Sequence, residues 1–238
     1  GSVQEQLANK ELTWESAEQF NVGIDYGLFD NKLNGSIDYF VRKTKDMILS
    51  KPIPMYAGKK RPNVNAGTME NRGIEFSINY KDNIGDFNYG IGFNTTWIKN
   101  EVTSLAGGDP IRDGSVGRLG NTTMTEEGRE IAYFYGHKTS GIFKTQADLD
   151  AYVTADGTQI TGPGGSRPQL GDVVFADRNN DGKISDEDMT YLGSATPDLT
   201  GGLNISLGYK NFDFTMFMNY SLGNEIVNSM YQSLYSTD

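Results

Sequence analysis

The chain has 238 residues, a formal net charge of −10, one histidine and no cysteine. That length admits one large domain or two small ones, the charge argues against nucleic acid as a partner, and the missing thiols exclude disulfides and cysteine chemistry without fixing a compartment. No apolar run approaches the roughly 18 residues of a membrane helix, and residues 1 to 19 are too polar for a secretory signal peptide.

In chain order, FNVGIDYGL (20 to 28) places Phe20, Val22, Ile24, Tyr26 and Leu28 on one face and Asn21, Gly23, Asp25 and Gly27 on the other. This is the period of two that defines a strand. After Asp30 and Asn31 the pattern resumes with Leu33, Gly35, Ile37, Tyr39 and Val41, against Asn34, Ser36 and Asp38. Residues 20 to 41 therefore predict a hairpin. A second hairpin is predicted from Ile74, Phe76, Ile78 and Tyr80, through KDNIGD, to Phe87, Tyr89, Ile91, Phe93 and Trp97. The third joins Leu203, Ile205, Leu207 and Tyr209 through Lys210-Asn211 to Phe212, Phe214, Met216, Met218 and Tyr220.

These apolar faces carry no charge, although 22% of the chain is charged, and the opposite faces are small and polar. Alternation alone would also suit a soluble sandwich. The connections discriminate better: turns within hairpins are short, while those between hairpins span about 42 to 72 and about 98 to 202. Short turns at one end and long loops at the other are the plan of an outer-membrane barrel. Aromatic residues gather near strand ends, Tyr80, Phe87, Tyr209 and Phe212 on the short-turn side and Phe20, Trp97 and Tyr220 on the other, as at two membrane interfaces. The expected fold is all-β: an antiparallel transmembrane β-barrel segment with long extracellular loops. Six strands are too few for closure, since such barrels begin at about eight, so the chain reads as a piece of a larger barrel.

Four blocks carry a family resemblance: ELTWESAEQFNVGIDYGLFDNKLNGSIDYFVRKTKDMIL (11 to 49), NVNAGTMENRGIEFSINY (63 to 80), YFYGHKTSGIF (133 to 143) and GDVVFADRNNDGKISDEDMTYLGSATPDLTGGL (171 to 203). In these the sequence resembles the C-terminal barrel region of the SusC/RagA family of TonB-dependent outer-membrane transporters of Bacteroidetes. The resemblance implies a barrel of about 22 strands, residues 1 to 238 being its C-terminal part, with the plug domain upstream and absent from this chain. It further implies energy from the TonB complex, a SusD-like surface lipoprotein as partner, and oligosaccharides or oligopeptides as cargo.

The stretch DRNNDGKISDED (177 to 188) has the spacing of a calcium loop. Asp177, Asn179 and Asp181 offer side-chain oxygens, Gly182 permits the sharp turn, Lys183 offers its carbonyl, Ser185 can act through water, and Asp188 stands where a bidentate glutamate is usual. The expected role of calcium is to brace an extracellular loop. The competing reading is a metal-free turn, which Asp, Asn and Gly favour unaided. His137 is the only histidine, so a triad or transition-metal site is not expected, and the residue reads as a structural hydrogen-bonder. No catalytic residues are assigned. Tyr56, Tyr133 and Tyr135, with Phe134, are candidates to stack on cargo, against the alternative that loop aromatics pack the loop itself. KKRP (59 to 62) reads as a solvated basic loop tip and TGPGGSRP (161 to 168) as loop rather than phosphate cradle. A rival function class is a secreted, calcium-braced adhesin or carbohydrate-binding module. It would bury the apolar faces in a protein core, where a barrel turns them to lipid.

Overall fold

The computed structural model describes residues 9–50, 62–115, 120–228 and 230. Four long strands come first: β1 (Ser16–Leu28), β2 (Leu33–Ser50), β3 (Asn63–Ile84) and β4 (Phe87–Leu105). An excursion follows, with β5 (Ile111–Ser115), β6 (Asn121–Thr125), β7 (Tyr133–His137), β8 (Thr139–Ile142), a one-turn helix α1 (Gln146–Asp150), β9 (Val173–Phe175) and β10 (Met189–Gly193). The chain then returns through β11 (Leu199–Tyr209) and β12 (Phe212–Leu222). The long strands form one antiparallel six-stranded sheet in the order β1-β2-β3-β4-β11-β12.

The three expected hairpins are present, and register follows the pattern that predicted them. Phe20 pairs with Val41, Ile24 with Ile37 and Tyr26 with Gly35. Ile37 continues to Phe76, Ile78 to Phe93, and Ile91 to Ile205. The apolar residues of all six strands thus share one face, because a slip of one residue would swap the faces. The turns fit their residues. Asp30 and Asn31 adopt left-handed φ of 53° and 62°, which Asp and Asn tolerate best among side-chain-bearing residues. The β3–β4 turn narrows to Gly85-Asp86, with Gly85 at φ 59°.

Several strands run further than their apolar pattern. Residues 42 to 50 and 63 to 72, expected as connection, pair as β2 and β3, leaving 51 to 62 between them. Their outward positions carry charge instead of apolar groups, and charged pairs stabilise a strand without the hydrophobic alternation that reveals one. β4 likewise continues to Leu105.

Among the described residues the apolar face stays exposed. Ile24 is 71% exposed and Phe212 80%. The buried hydrophobics lie elsewhere: Met47, Ala66, Val102 and Leu105 on the strand extensions, and Tyr133, Phe143, Ile160 and Ile184 in the excursion. A soluble sandwich would bury the alternating face, so the sheet's partner is a medium that is itself apolar. Among the described residues the sheet is open, ending at β1 and β12. By itself, the second compact unit, Asp113–Met124 with Tyr133–Gly193, holds the short β8–β9 pair and most of the sheet ordered β10-β7-β6-β5.

Candidate functional site

The outward face is banded. Along β3 its positions run Asp82, Tyr80, Ile78, Phe76, Ile74 and Arg72, so charge bounds the apolar stretch at both ends. From Asp82 to Arg72 is ten residues; at about 3.3 Å each and a tilt of about 40°, that is roughly 25 Å of height, the apolar band of an outer-membrane barrel. Lys32 closes the lower rim on Asp82 at 2.8 Å. The upper rim holds Glu18, Lys43, Lys45, Glu70, Arg72, Lys99 and Glu101.

Tyrosines inside the band keep their hydroxyls from being stranded in lipid, where an unpaired polar group is costly. Tyr26 lies across Gly35, and its hydroxyl donates to the Ser77 carbonyl one strand further on, at 3.1 Å. Tyr220 does the same across Gly201, toward the Asn94 carbonyl at 3.5 Å. At both glycines a Cβ would strike the tyrosine ring and the neighbouring strand's carbonyl.

The other face is mainly polar: the row Asp25–Ser36–Ser77–Asn94–Gly202–Asn219 crosses all six strands, while Phe40 and Ile98 flank Gly73 as apolar exceptions. Ser36 and Ser77 are linked through their hydroxyls at 3.0 Å, and the Ser36 N–H also donates to Ser77 Oγ at 3.0 Å. The Asp38 carboxylate fills the space above Gly23, so a side chain at Gly23 would collide with it. Phe217 stands out on this face as a ring 71% exposed between polar neighbours. The alternation of β12 puts it on the polar side, between Thr215 and Asn219. It is the one inward aromatic of β12, and its exposed ring face is open to stacking.

The loop 177 to 188 folds back on itself through carboxylate and amide oxygens. Asp177 Oδ2 accepts from Gly182 N–H at 2.9 Å, Asn179 Oδ1 from Asp181 N–H at 3.1 Å, and Asp181 Oδ1 from Lys183 N–H at 2.8 Å. Gly182 sits at φ 79°, where glycine carries no steric penalty. Asp188 is fully buried, its two oxygens accepting from Arg178 N–H and Ser185 N–H at 2.8 Å each. Burial pushes its carboxyl up, but the donated N–H bonds outweigh that and hold it below the ordinary carboxylate value. Asp177 Oδ1 is buried without a hydrogen-bond partner. Among the described residues, no three His, Cys, Asp or Glu side chains gather as a metal-holding group. The sequence candidates Asp177, Asn179, Asp181, Lys183 and Asp188 therefore share one loop, but Asp177, Asp181 and Asp188 do not share one centre.

The remaining candidates separate clearly. Tyr133 is 1% exposed, with its hydroxyl on Met124 Sδ at 3.1 Å and its ring 5.2 Å from that of Tyr191. It is a packing residue with almost no exposed surface. Tyr135 is half-buried, edge-on to Tyr133 at 6.3 Å. Tyr56 and Lys59, Lys60 and Arg61 lie outside the described residues. His137 Nε2 donates to the Ser185 carbonyl at 2.8 Å and its ring meets Phe175 at 5.5 Å, tying β7 to the 177 to 188 loop. In the TGPGGSRP stretch, Pro163, Ser166 and Pro168 wall a cavity of about 300 Å³ with Phe143, Tyr152 and Phe175. The Tyr152 hydroxyl is already committed to the Phe175 carbonyl at 2.6 Å.

Comparison with known proteins adds the following. The family model described as "TonB dependent receptor-like, beta-barrel" matches residues 1–223. TonB-dependent receptor P3 of Formosa agariphila is 37% identical over 232 residues, covering 96% of this chain and 22% of that protein. TonB-dependent receptor SusC of Bacteroides thetaiotaomicron is 31% identical over 224 residues, covering 92% of this chain and 20% of that protein. A solved structure titled as the RagAB peptide transporter superposes with a TM-score of 0.72 at 26% identity, over 94% of this chain and 23% of that one. The chain spans about a fifth of the length of these relatives.

Proposed function

The chain belongs to the TonB-dependent receptor-like β-barrel family of outer-membrane proteins, and from that premise we propose that it supplies six wall strands of an importer whose cargo is an oligosaccharide or oligopeptide. The observation that carries the reading is the two-faced sheet: an outward apolar band of roughly 25 Å bounded by charge, backed by a mainly polar inner face. An inner wall of Asn, Ser and Thr with a few carboxylates suits cargo that exchanges hydrogen bonds with water, and Phe217 adds a stacking surface for sugar rings or apolar side chains. The peptide class draws support from the RagAB neighbour, which is titled a peptide transporter. In this reading a SusD-like lipoprotein covers the long-loop side, and energy comes from the TonB complex acting on parts of the receptor outside this chain.

The test is uptake by cells expressing the full receptor. Fluorescent oligopeptides and oligosaccharides should enter in a TonB-dependent way, and the Phe217→Ala receptor should take up its cargo several-fold more slowly. Uptake that persists without TonB, or no uptake of either class, contradicts the reading.

Calcium in the 177 to 188 loop is a second part of the proposal. Its support is the oxygen spacing and the buried, partnerless Asp177 Oδ1. Binding requires Asp181 and Asp188 to turn toward that oxygen until all lie about 2.3–2.6 Å from one ion, so ion-loaded and ion-free loops differ in shape. Terbium luminescence, titrated on the full receptor and lost in Asp181→Ala, would support it; no saturable signal up to millimolar ion leaves the self-closed turn as the account of the loop.

A further inference from the structure

The cavity of about 300 Å³ in the second compact unit has a lining of one chemical kind. Its walls are the rings of Phe143, Tyr152 and Phe175, with Pro163 and Pro168. Phe143 and Tyr152 stand 5.1 Å apart at 70° to each other and form an aromatic corner. The Tyr152 hydroxyl, held on the Phe175 carbonyl at 2.6 Å, fixes its ring in place. Asp172 is the one charged residue lining the cavity among the described residues. It is exposed, and the Phe143 N–H donates to its carbonyl at 2.9 Å, which ties the carboxylate to the corner. Asp172 Oδ2 accepts the Gln169 N–H at 2.8 Å, which leaves Oδ1 open among the described residues. Both hydroxyls of the lining are committed, since Ser166 Oγ donates to the Pro163 carbonyl at 3.2 Å.

The cavity thus offers ring faces and a carboxylate but no uncommitted side-chain donor. The oxygens of a sugar ring, or an anion, need donors in exchange for water, and burying them without any is costly. A cation on an apolar stem matches on both counts: the stem packs on rings and prolines, and the charged head meets ring faces and carboxylate. The wider field agrees. Burial first, and the charges of Asp177 and Asp188 after it, raise the Tyr152 phenol above its ordinary value. Lys144 and Arg167, next in sequence to lining residues, do not line the cavity themselves. The volume is at the small end of ligand sites and suits one side chain rather than a whole oligomer.

We propose that this cavity seats a basic side chain, lysine or arginine, of an oligopeptide cargo. The proposal rests on the peptide arm of the reading above and deepens it. The cationic head lies over the Phe143–Tyr152 corner, within about 6 Å of the ring centres, and donates to Asp172 Oδ1. The stem runs along Pro163 and Pro168. Rings and carboxylate are already held by their own hydrogen bonds, so little ordering opposes binding.

The test titrates the full receptor in detergent micelles with three fluorescent Ala/Ser heptapeptides, identical except for a central lysine, norleucine or glutamate. Norleucine keeps the apolar stem and lacks the cation. Ring faces and carboxylate each favour a cation by about threefold, so the lysine peptide should bind about tenfold tighter than the norleucine peptide. The glutamate peptide should bind most weakly. Asp172→Asn keeps an acceptor for the Gln169 N–H and should cut the lysine preference about threefold; Tyr152→Leu should cut it by a similar factor. Asp150→Asn, a carboxylate of the same unit that does not line the cavity, should leave the preference unchanged. The preference is a ratio on one protein, so the unmodified receptor alone tests the proposal if a variant does not fold. Equal binding of the lysine and norleucine peptides, a preference that survives both Asp172→Asn and Tyr152→Leu, or an equal loss in Asp150→Asn overturns the proposal and leaves the peptide reading standing. Displacement of the lysine peptide by cellohexaose assigns the rings to sugar and also overturns it. No binding of any of the three peptides overturns the proposal together with the peptide reading beneath it.

Discussion

Placing lysine at Ile24 probes the face assignment most sharply. Ile24 is 71% exposed and pairs with Ile37, which pairs with Phe76. The charged rim row, Phe20–Val41–Arg72–Lys99, is four residues away along the strand. Four residues are about 13 Å of strand and about 10 Å of depth at the expected tilt, further than a lysine can snorkel. The ammonium is held near mid-membrane, at a cost of about 2–4 kcal/mol. At 3 kcal/mol the folding equilibrium moves about 150-fold. The same substitution at Phe20, in the rim row, should cost only about 0–1 kcal/mol from charge placement. Gly23→Lys points to the inner face yet should also destabilise, because the Asp38 carboxylate occupies its space; adding Asp38→Gly should recover most of that loss. The assay is denaturant unfolding of the full receptor in lipid vesicles, followed by tryptophan emission. An Ile24→Lys cost no larger than that of Phe20→Lys would refute the depth argument.

Gly35→Val should block pairing of β2 with β3 and leave receptor absent from heat-modifiable gels, since the added Cβ meets the Ser77 carbonyl and the Tyr26 ring. Tyr26→Phe removes one hydroxyl donor to the Ser77 carbonyl and should cost about 1 kcal/mol in the same unfolding assay. Asp148 accepts the N–H groups of Lys144 and Thr145, which hold its carboxyl below the ordinary value of 3.8. Its depressed folded value means that the stabilisation of α1 is complete above that pH and lost as pH falls further, so amide protection at Lys144 and Thr145 should weaken on acidification below it and be absent at all pH in Asp148→Ala. His137→Ala should loosen the 177 to 188 loop, seen as faster amide exchange there, because the Nε2 bond to the Ser185 carbonyl is lost.

The hairpins were legible because each lipid-facing strand must alternate, and one apolar residue in two is a strong signal over nine or ten positions. The same physics hid the rest. Where β2, β3 and β4 leave the band, Lys43, Glu70, Arg72, Lys99 and Glu101 replace apolar residues, and a paired strand then resembles a polar loop. A charge recurring at every second position, as in Lys43 and Lys45, Glu70 and Arg72, or Lys99 and Glu101, was the readable trace of it. The excursion's strands are five residues or fewer, too short for a period to show. The 177 to 188 spacing identified a tight oxygen-rich loop correctly, but spacing does not reveal whether those oxygens face an ion or the loop's own N–H groups. Tyr133 illustrates another limit: a tyrosine in a loop is exposed or buried according to partners such as Met124 and Tyr191, which lie far from it in sequence or carry no pattern.

The central claim is that the alternating face of this sheet meets lipid while the other meets water. Single cysteines introduced at positions 20 to 28 of the full receptor, with any cysteine outside this cysteine-free chain first replaced, and spin-labelled in lipid vesicles, report each residue's surroundings separately. Labels at Phe20, Val22, Ile24, Tyr26 and Leu28 should collide preferentially with oxygen, which concentrates in lipid, and those at Asn21, Asp25 and Gly27 with a water-soluble nickel chelate. Loss of that two-residue alternation, or nickel access at Ile24 equal to that at Asp25, would contradict the account.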